Sequence, residues 1–393
     1  MARKNYAYVN CSMLKWAREE TPFRTLEEVE LHLRGISAEN LSAWENGVDL
    51  PSVTEAKKLA QLYKVPLACF YLSAPPEKKV RKYTDRRTMN GTIYVDTSYE
   101  LWCEIGRIIS NRDKLLEFAD VEEIGSYPLP TFTSDTSISN IASTLRNFLG
   151  ITTPFKYKST YKNNAFNYFR NIFEHKGILV SQISGVSISE MRGLSISYDT
   201  CPIIAINNRD FERAKVFSLF HELAHLVRRS SSLCLIDFDE RNDEEEKICD
   251  SIAAAVLLPK TECIEVSNRI YAKHKEWSSL CLQEIGDKFG VRSVVVLRRL
   301  YELTLISKVE YLAIYKQLND EFEANRELIE NSRKGKNIPV YFYVKYLNQQ
   351  GYLFPRAIMS AHANGKLTYG EMCRTLNVNS KHIGDIERAV MFT

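Results

Sequence analysis

The feature that most constrains this chain is an apolar helix that contains two histidines. Hydrophobic side chains recur on nearly every face of the helical segment 211–227, so the segment must be buried in a core. His221 and His225 stand four positions apart inside it. At that spacing two side chains lie about 40° apart around the helix, one above the other. Any fold of this chain must therefore bury two imidazoles side by side.

Two imidazoles in this relation can bind one metal ion. The alternative is a pair of core histidines hydrogen-bonded to the backbone. It leaves unexplained why ionisable groups occupy an apolar helix, at a cost of about 1–3 kcal/mol for each unsatisfied group. Glu222 follows the first histidine and points about 100° further around the helix. A carboxylate there lies beside the ion rather than on it, which suits a group that polarises a water molecule.

The next predicted helix supplies a third ligand. Its first turn is acidic, its second half is apolar, and Pro259 ends it. The first acidic residues, Asp243 and Glu244, fit a solvated helix start. Glu246 is predicted to bind the metal, because Asp250 follows one turn later and can hold the free ring N–H of His221. Two imidazoles and one carboxylate fit zinc best, with manganese as the open alternative.

Length and composition indicate a globular protein of several modules. The 393 residues are 45% hydrophobic and 26% charged, and the formal charge of +3 is too small for a protein that coats polyanions. The first residues lack the apolar stretch of a secretory signal, and no run approaches the roughly 18 apolar residues of a membrane span. The nine scattered cysteines indicate reduced thiols. We therefore expect a cytosolic protein without membrane association.

The N-terminal segment resembles the Xre-type helix-turn-helix repressors. Short amphipathic helices follow one another up to residue 76, with Thr25 and Glu28 spaced as a capping box. The segment 37–47, which ends in Trp-Glu-Asn-Gly, is similar to the recognition helix of those repressors. The resemblance implies DNA contacts from Ser37, Asn40 and Asn46.

The charge of this segment opposes a simple DNA-binding interpretation. Between residues 25 and 47, five glutamates accompany a single arginine, whereas phosphate binding requires positive charge. Among the positions that would face bases, only Asn40 is a good reader of adenine. A bundle for dimerisation or protein docking remains the alternative.

Periodicity predicts an α+β fold that is predominantly helical. Segments 98–118, 138–149 and 166–175 show helical spacing. Segments 177–183, 192–197 and 202–207 are short and rich in β-branched residues, which predicts a small antiparallel sheet packed on a helical layer. The expected organisation is a helix-turn-helix domain (1–76), a basic linker (77–97), a catalytic-type core (98–315), a charged helix and linker (316–336) and a C-terminal helical domain (337–393).

Two flanking segments leave alternatives open. The basic run at 78–87 is a solvated connector or a phosphate-binding stretch. The C-terminal segment 337–393 resembles a second helix-turn-helix-like bundle, for which packing or oligomerisation is favoured over DNA contact.

Together the central motifs resemble the ImmA/IrrE family of metallopeptidases. The resemblance rests on the segments 215–226, 246–259, 192–195, 202–207 and 289–300. It implies that these segments form a zincin-like core. It implies a zinc-dependent endopeptidase in which Glu222 is the general base. The implied substrate is a regulatory protein, often a helix-turn-helix repressor, in a stress, mobile-element or anti-phage circuit. The strand at 202–207, as an edge candidate, could bind an extended substrate.

A different class of function remains possible at this stage. The chain could be a DNA-binding transcriptional regulator or a toxin–antitoxin component whose metal site is sensory or inactive. It could also act as a homodimer. Cys249 and Ile252 replace the alanine and phenylalanine usual in the family, and both changes leave the predicted ligands intact.

Overall fold

The computed structural model divides the chain into two compact units, Met1–Gly106 and Arg107–Thr393. Nearly all of the predicted basic linker, including the run at 78–87, lies outside the described residues. The structure describes residues 5–76, 97–119, 124–125, 127–133, 135–151, 165–229, 232–234, 244–333 and 340–391, with backbone alone at 232–234 and 322–333.

The N-terminal unit is a bundle of short helices. Thr25 and Glu28 form the predicted capping box at the start of the second helix. Leu41, Trp44 and Phe70 are among the apolar side chains that fill the core of the bundle. The helices are α1 (Cys11–Glu19), α2 (Leu26–His32), α3 (Ala38–Glu45) and α4 (Val53–Leu62), followed by a short 3₁₀ helix (Leu67–Tyr71) and by α5 (Tyr99–Phe118), in which the division between the units falls.

The second unit surrounds a small sheet with helices, so the predominantly helical α+β class is confirmed. Its strands are β1 (Leu179–Ile183), β2 (Gly193–Ile196), β3 (Ile203–Asn207) and β4 (Ser232–Cys234). Its helices before and within the sheet region are α6 (Ile138–Leu149), α7 (Ala165–His175) and α8 (Glu212–Val227). The later helices are α9 (Glu244–Leu257), α10 (Lys260–His274), α11 (Ser279–Phe289), α12 (Ser293–Glu302), α13 (Lys308–Arg333), α14 (Phe342–Gln350), α15 (Leu353–Ala363), α16 (Tyr369–Leu376) and α17 (Ile383–Met391).

The sheet is mixed, and the prediction of an antiparallel sheet is wrong for one pair. The order is β1-β3-β2-β4, with β1 parallel to β3 and the other pairs antiparallel. All residues of β1 and β3 are buried. Burial of every residue is typical of strands that are covered on both faces, as in parallel pairing.

The strand order also corrects the expected substrate edge. The strand predicted as an edge, at 202–207, corresponds to β3, which lies between β1 and β2. Among the described residues, the outer strands are β1 and β4. Helix α14 packs along β1, so β4 is the candidate edge for an incoming strand.

Helix α8 is buried at the centre of this unit, as its sequence predicts. It packs against α9 on one side and against α7, β2 and β3 on others. Phe220 makes edge-to-face contacts with Phe169 and Phe173, at ring-centroid distances of 5.1 and 5.3 Å. Burying one such ring stabilises the fold by about 1.5–3 kcal/mol, so the helix is held firmly in one orientation.

The C-terminal helices join the sheet-bearing unit through buried polar contacts. The Glu174 carboxylate on α7 accepts hydrogen bonds from the backbone N–H groups of Tyr352 and Leu353, at 3.0–3.2 Å, and so satisfies the start of α15. Gln350 accepts hydrogen bonds from Arg107 and Asn111, each at 2.6 Å.

Glu174 gives this contact a pH dependence. Burial raises the pKa of its carboxyl from 4.5 to about 7, although Arg170 and the two backbone N–H groups oppose the shift. Because the folded protein favours the protonated carboxyl, Glu174 contributes fully to the free energy of unfolding below about pH 4.5. This contribution is lost as the pH rises through 7. We expect the free energy of unfolding to fall between pH 5 and 8 by up to about 3 kcal/mol more in the wild type than in Glu174→Gln. Urea unfolding of both proteins across this range measures the difference, and parallel pH profiles would contradict it.

None of the helices in the described part of the chain combines the length and hydrophobicity that a bilayer crossing needs.

Candidate functional site

Helix α8 places two imidazoles side by side in the core. His221 and His225 are 7% and 1% exposed, and their Nε2 atoms are 3.1 Å apart. The i, i+4 spacing explains the approach, because such side chains project over the same strip of helix surface. Both Nε2 atoms face one point between α8 and α9.

Helix α9 adds a carboxylate at that point. Glu246 is 4% exposed, and its Oε2 lies 3.3 Å from His221 Nε2 while its Oε1 lies 3.6 Å from His225 Nε2. The close packing of α8 on α9 brings these atoms together. One ligand atom from each of the three side chains lies within 4.8 Å of the others.

The separations fit a tetrahedral metal ion. Bonds of about 2.0–2.2 Å from zinc to nitrogen or oxygen place neighbouring ligand atoms about 3.3–3.6 Å apart. The two Nε2 atoms are 3.1 Å apart, and they lie 3.3 and 3.6 Å from the Oε2 and Oε1 atoms of Glu246, close to that range. A donor set of two imidazoles and one carboxylate also leaves a coordination position for water or substrate.

The electrostatics keep Glu246 ionised. Burial alone would raise its pKa, but hydrogen bonds and charge interactions with His221 and His225 outweigh burial and hold the pKa well below its ordinary value. An ionised carboxylate is the form that binds a divalent ion, so the group is prepared to act as a ligand.

Asp250 lies beside the other nitrogen of His221. The distance from His221 Nδ1 to Asp250 Oδ1 is 2.7 Å. The second carboxylate oxygen accepts a hydrogen bond from Arg298 Nη1, also at 2.7 Å. Sequence reasoning missed Arg298, which is 48 positions further along the chain, on α12. Asp250 thus lies between Arg298 and His221, in the place of a group that orients a metal-binding imidazole.

A thiol stands in the corresponding place for His225. Cys249 Sγ lies 3.5 Å from His225 Nδ1. Burial raises the pKa of this thiol, although the contact with His225 opposes the shift. The neighbouring Glu245 forms a bidentate ion pair with Arg228, at 2.6 and 2.7 Å. A second possible metal group, formed by His225, Glu245 and Cys249, therefore competes with that ion pair.

Glu222 lies against the sheet next to this cluster. The side chain is fully buried and faces the backbone of Gly193 in β2. A Cβ atom at position 193 would lie 3.0 Å from Cδ of Glu222 and 3.1 Å from its Cγ. Gly193 is thus the residue that leaves room for the carboxylate, a role that the sequence motif alone does not indicate.

Gly193→Ala is expected to displace Glu222, the predicted general base, and to lower hydrolytic activity by about 10–100-fold, because misplacing such a group by roughly 1 Å can have that effect. Zinc affinity should stay within about threefold of wild type, since the alanine does not touch the ligands. Gly384→Ala is the matched control, because a Cβ there meets nothing within 4 Å. Cleavage rates and zinc titrations of the three proteins test this. Equal activity in the two variants would contradict it.

The predicted DNA contacts lie at both ends of α3. Ser37 is the N-cap and accepts a hydrogen bond from the Asn40 N–H, while the Asn40 side chain is exposed. Asn46 is the C-cap, and its side chain donates to Ser42 Oγ at 3.2 Å. Since eight helical residues span roughly 12 Å, these side chains do not form one cluster.

Much of the acidity near α3 has a structural role. Glu30 Oε2 accepts a hydrogen bond from the Ala38 N–H at 2.9 Å, which caps α3 from the preceding helix. Glu45 forms a bidentate ion pair with Arg18, at 2.8 and 2.9 Å, and Glu28 belongs to the capping box of α2. The ion pair neutralises Glu45, whereas Glu28 and Glu30 keep their negative charges. Glu39 remains exposed on its first turn.

Two histidines one helical turn apart, a carboxylate from the next helix and a buried glutamate beside them form the arrangement of a metal-dependent hydrolase. Residues 173–301, which contain all these side chains, match the M78 peptidase family model, described as an IrrE N-terminal-like domain. Residues 24–68 match a helix-turn-helix model. The chain therefore carries a peptidase-type domain together with a helix-turn-helix of the class that binds DNA, which confirms the resemblance seen in the sequence. No curated protein matches the chain closely enough to serve as a relative.

Proposed function

We propose that this protein is a zinc-dependent endopeptidase that cleaves a regulatory protein in the cytosol. The proposal rests above all on the convergence of His221, His225 and Glu246, whose ligand atoms lie within 4.8 Å of one another in a buried site. Two imidazoles and one carboxylate are the donors of many catalytic zinc sites.

The side chains around the site have separate roles in this proposal. His221, His225 and Glu246 hold the ion, which when bound supplies a Lewis acid that polarises the scissile carbonyl and acidifies a water molecule. Glu222 takes a proton from the attacking water and returns it to the leaving amine as the peptide C–N bond breaks. Asp250, fixed by Arg298, keeps the Nδ1–H of His221 engaged, so that Nε2 is presented as the ligand atom.

The substrate would bind as an extended strand. Strand β4 lies at the end of the sheet and pairs with β2 at residues 193–195, next to the position that faces Glu222. A polypeptide that pairs with the outer edge of β4 gains backbone hydrogen bonds without a requirement for particular side chains. This edge replaces β3 as the proposed substrate strand.

The helix-turn-helix would deliver the peptidase to its target. A repressor with its own helix-turn-helix, bound to DNA, is the proposed substrate, and direct DNA contact through Ser37, Asn40 and Asn46 is the proposed means of arrival. The ion pair of Glu45 with Arg18 supports this, because it neutralises one of the negative charges near α3 that would repel phosphates.

The test is co-expression with repressors encoded beside its gene, followed by labelling of new protein N-termini. Cells that express wild type are compared with cells that express Glu222→Gln. We expect a new N-terminus within one repressor in the wild-type sample alone. If the two proteins produce the same biological effect and no new terminus appears, the chain is instead a regulator whose metal site is sensory.

A further inference from the structure

The second ring nitrogen of His225 faces a sulfur atom. Nε2 of His225 points to the proposed zinc ligands, whereas its Nδ1 lies 3.5 Å from Sγ of Cys249 on α9. Both side chains are buried, with His225 1% and Cys249 0% exposed. Glu245 completes a group of three residues whose ligand atoms lie within 4.8 Å of one another. Nitrogen, sulfur and oxygen donors therefore surround one small space.

The helices explain why these three donors meet. Glu245 and Cys249 stand four positions apart on α9, so their side chains project over the same strip of that helix. The close packing of α8 against α9 brings His225 to that strip. The arrangement thus has the same origin as the pair formed by His221 and His225, on the neighbouring helix.

The contact between nitrogen and sulfur has the length that a shared metal ion needs. With bonds of about 2.0–2.1 Å to nitrogen and about 2.3 Å to sulfur, a tetrahedral ion holds these two atoms about 3.5–3.6 Å apart. The observed separation of His225 Nδ1 and Cys249 Sγ is 3.5 Å. An ion can therefore enter between the two side chains without a large movement of either helix.

The sulfur determines which ions this group prefers. Thiolate ligands select soft ions such as Cu(I), whereas imidazole and carboxylate donors alone suit harder divalent ions. The three ligands of the proposed zinc site include no sulfur. The two groups therefore differ in the chemistry of the ion that each holds best.

The ion pair of Glu245 with Arg228 competes with metal binding but does not prevent it. The side chains of Glu245 and Arg228 are 30% and 17% exposed, so water screens part of their attraction. A carboxylate has about four lone-pair positions, and a bidentate pair with arginine uses two of them. Glu245 can therefore bind an ion while it keeps part of its contact with Arg228, and its partial exposure gives the ion a route from solvent.

One imidazole cannot serve both groups at once. A neutral ring has one nitrogen with a free lone pair and one nitrogen that carries hydrogen. An ion on Nε2 of His225 leaves the hydrogen on Nδ1, where Cys249 Sγ accepts it. An ion on Nδ1 leaves the hydrogen on Nε2, where His221 Nε2, at 3.1 Å, accepts it. Each tautomer is satisfied, and each excludes the other ion.

We propose that Cys249, His225 and Glu245 form a thiol site for a soft metal ion, and that this ion binds in competition with zinc and so blocks the peptidase. The ion replaces the thiol proton, which leaves to solvent, and the ring proton of His225 moves from Nδ1 to Nε2. The proposed zinc site then keeps two of its three protein ligands. This competition rests on the proposed function, whereas the thiol site itself does not.

The test is titration of the full chain with Cd²⁺, a soft ion that does not change its oxidation state. Ultraviolet charge-transfer absorption from sulfur to cadmium reports binding at a thiolate. We expect a saturable band in wild type and in Cys263→Ser, which replaces another buried thiol, near Ser267. Cys249→Ser should lose the band. A band of equal size and affinity in Cys249→Ser, or no band in wild type, overturns the proposal.

Two neighbouring glutamates separate the thiol site from the proposed zinc site. Glu245→Gln should weaken cadmium binding at Cys249 by about tenfold or more, because a ligand is lost, and should leave zinc affinity unchanged. Glu246→Gln should do the reverse. Equal losses of cadmium affinity in the two variants would place the ion at the histidine pair and would overturn the thiol site.

Zinc tests the competition between the sites. One equivalent of zinc should weaken cadmium binding by about tenfold or more, and cadmium should weaken zinc binding by the same factor, because coupling between two ligands is reciprocal. Independent binding of the two ions would show that His225 is not shared, which contradicts the proposal. A normal cadmium band without any zinc binding would support the thiol site and contradict the peptidase proposal instead.

Discussion

Replacing Glu222 with glutamine is expected to lower peptide hydrolysis by about 10²–10⁴-fold, the contribution typical of a positioned general acid–base. Glutamine has nearly the same shape but cannot accept the proton of the attacking water. Because Glu222 is fully buried beside Gly193, the substituted side chain has little freedom to move. Zinc affinity should remain within a few-fold of wild type, since Glu222 does not belong to the cluster of ligand atoms.

The measurement combines two readouts. Cleavage of the substrate identified by terminal labelling gives the activity, and competition with a chromogenic chelator gives the zinc affinity. Glu212→Gln is the matched control on the same helix: its side chain accepts a hydrogen bond from the Phe166 N–H, which an amide oxygen can also accept. Wild-type activity in Glu222→Gln would show that another group takes the proton, and loss of zinc would assign the carboxylate to the ion itself.

The parts of this site that could be predicted are those encoded within one helix or two successive helices. The i, i+4 spacing of His221 and His225 fixes their proximity whatever the rest of the fold does. Glu246 and Asp250 followed from the same argument on the next helix, whose acidic start and apolar end left few other orientations. Helical periodicity alone was therefore enough to predict the three proposed ligands and Asp250.

Contacts distant in sequence could not be derived in this way. Nothing local in β1 specifies that it pairs in parallel with β3. The choice of partner strand, its direction and its register all depend on packing of the whole sheet. The same holds for Gly193 against Glu222 and for Arg298 against Asp250. One signal was available: adjacent arginines on the otherwise apolar helix α12 require buried partners, which predicts an acidic group or an anion nearby.

In the helix-turn-helix, the sequence predicted the helix caps more reliably than the charge of the helix surfaces. The capping box of Thr25 and Glu28 follows from spacing alone. The net charge of α3 did not follow from the sequence, because the Glu45 side chain is largely buried in an ion pair with Arg18 on α1. Counting charges along a sequence assumes that they all face solvent, and short helices joined by caps violate that assumption.

The carboxylates of α9 offer the sharpest test of the proposed ligand set, because neighbours in sequence have different predicted roles. Structural zinc sites with four ligands bind with about 10–16 kcal/mol, or roughly 2.5–4 kcal/mol for each ligand, so Glu246→Gln is expected to weaken zinc binding by about 10²–10³-fold. Asp250→Asn should weaken it by about 10–100-fold, the usual effect of losing a group that orients a ligand. Glu245→Gln should leave it unchanged, because Arg228 holds that carboxylate.

The order of the three losses of zinc affinity tests the ligand set, whatever their absolute size. Zinc dissociation constants measured at one pH by chelator competition give that order directly, and circular dichroism of each variant shows whether the fold is retained. If Glu245→Gln matches Glu246→Gln, the ion lies toward Cys249, in the second possible group, and the proposed catalytic geometry is wrong. If only Glu246→Gln loses zinc, Asp250 serves Arg298 rather than His221, and the ring of His221 must be oriented by packing alone.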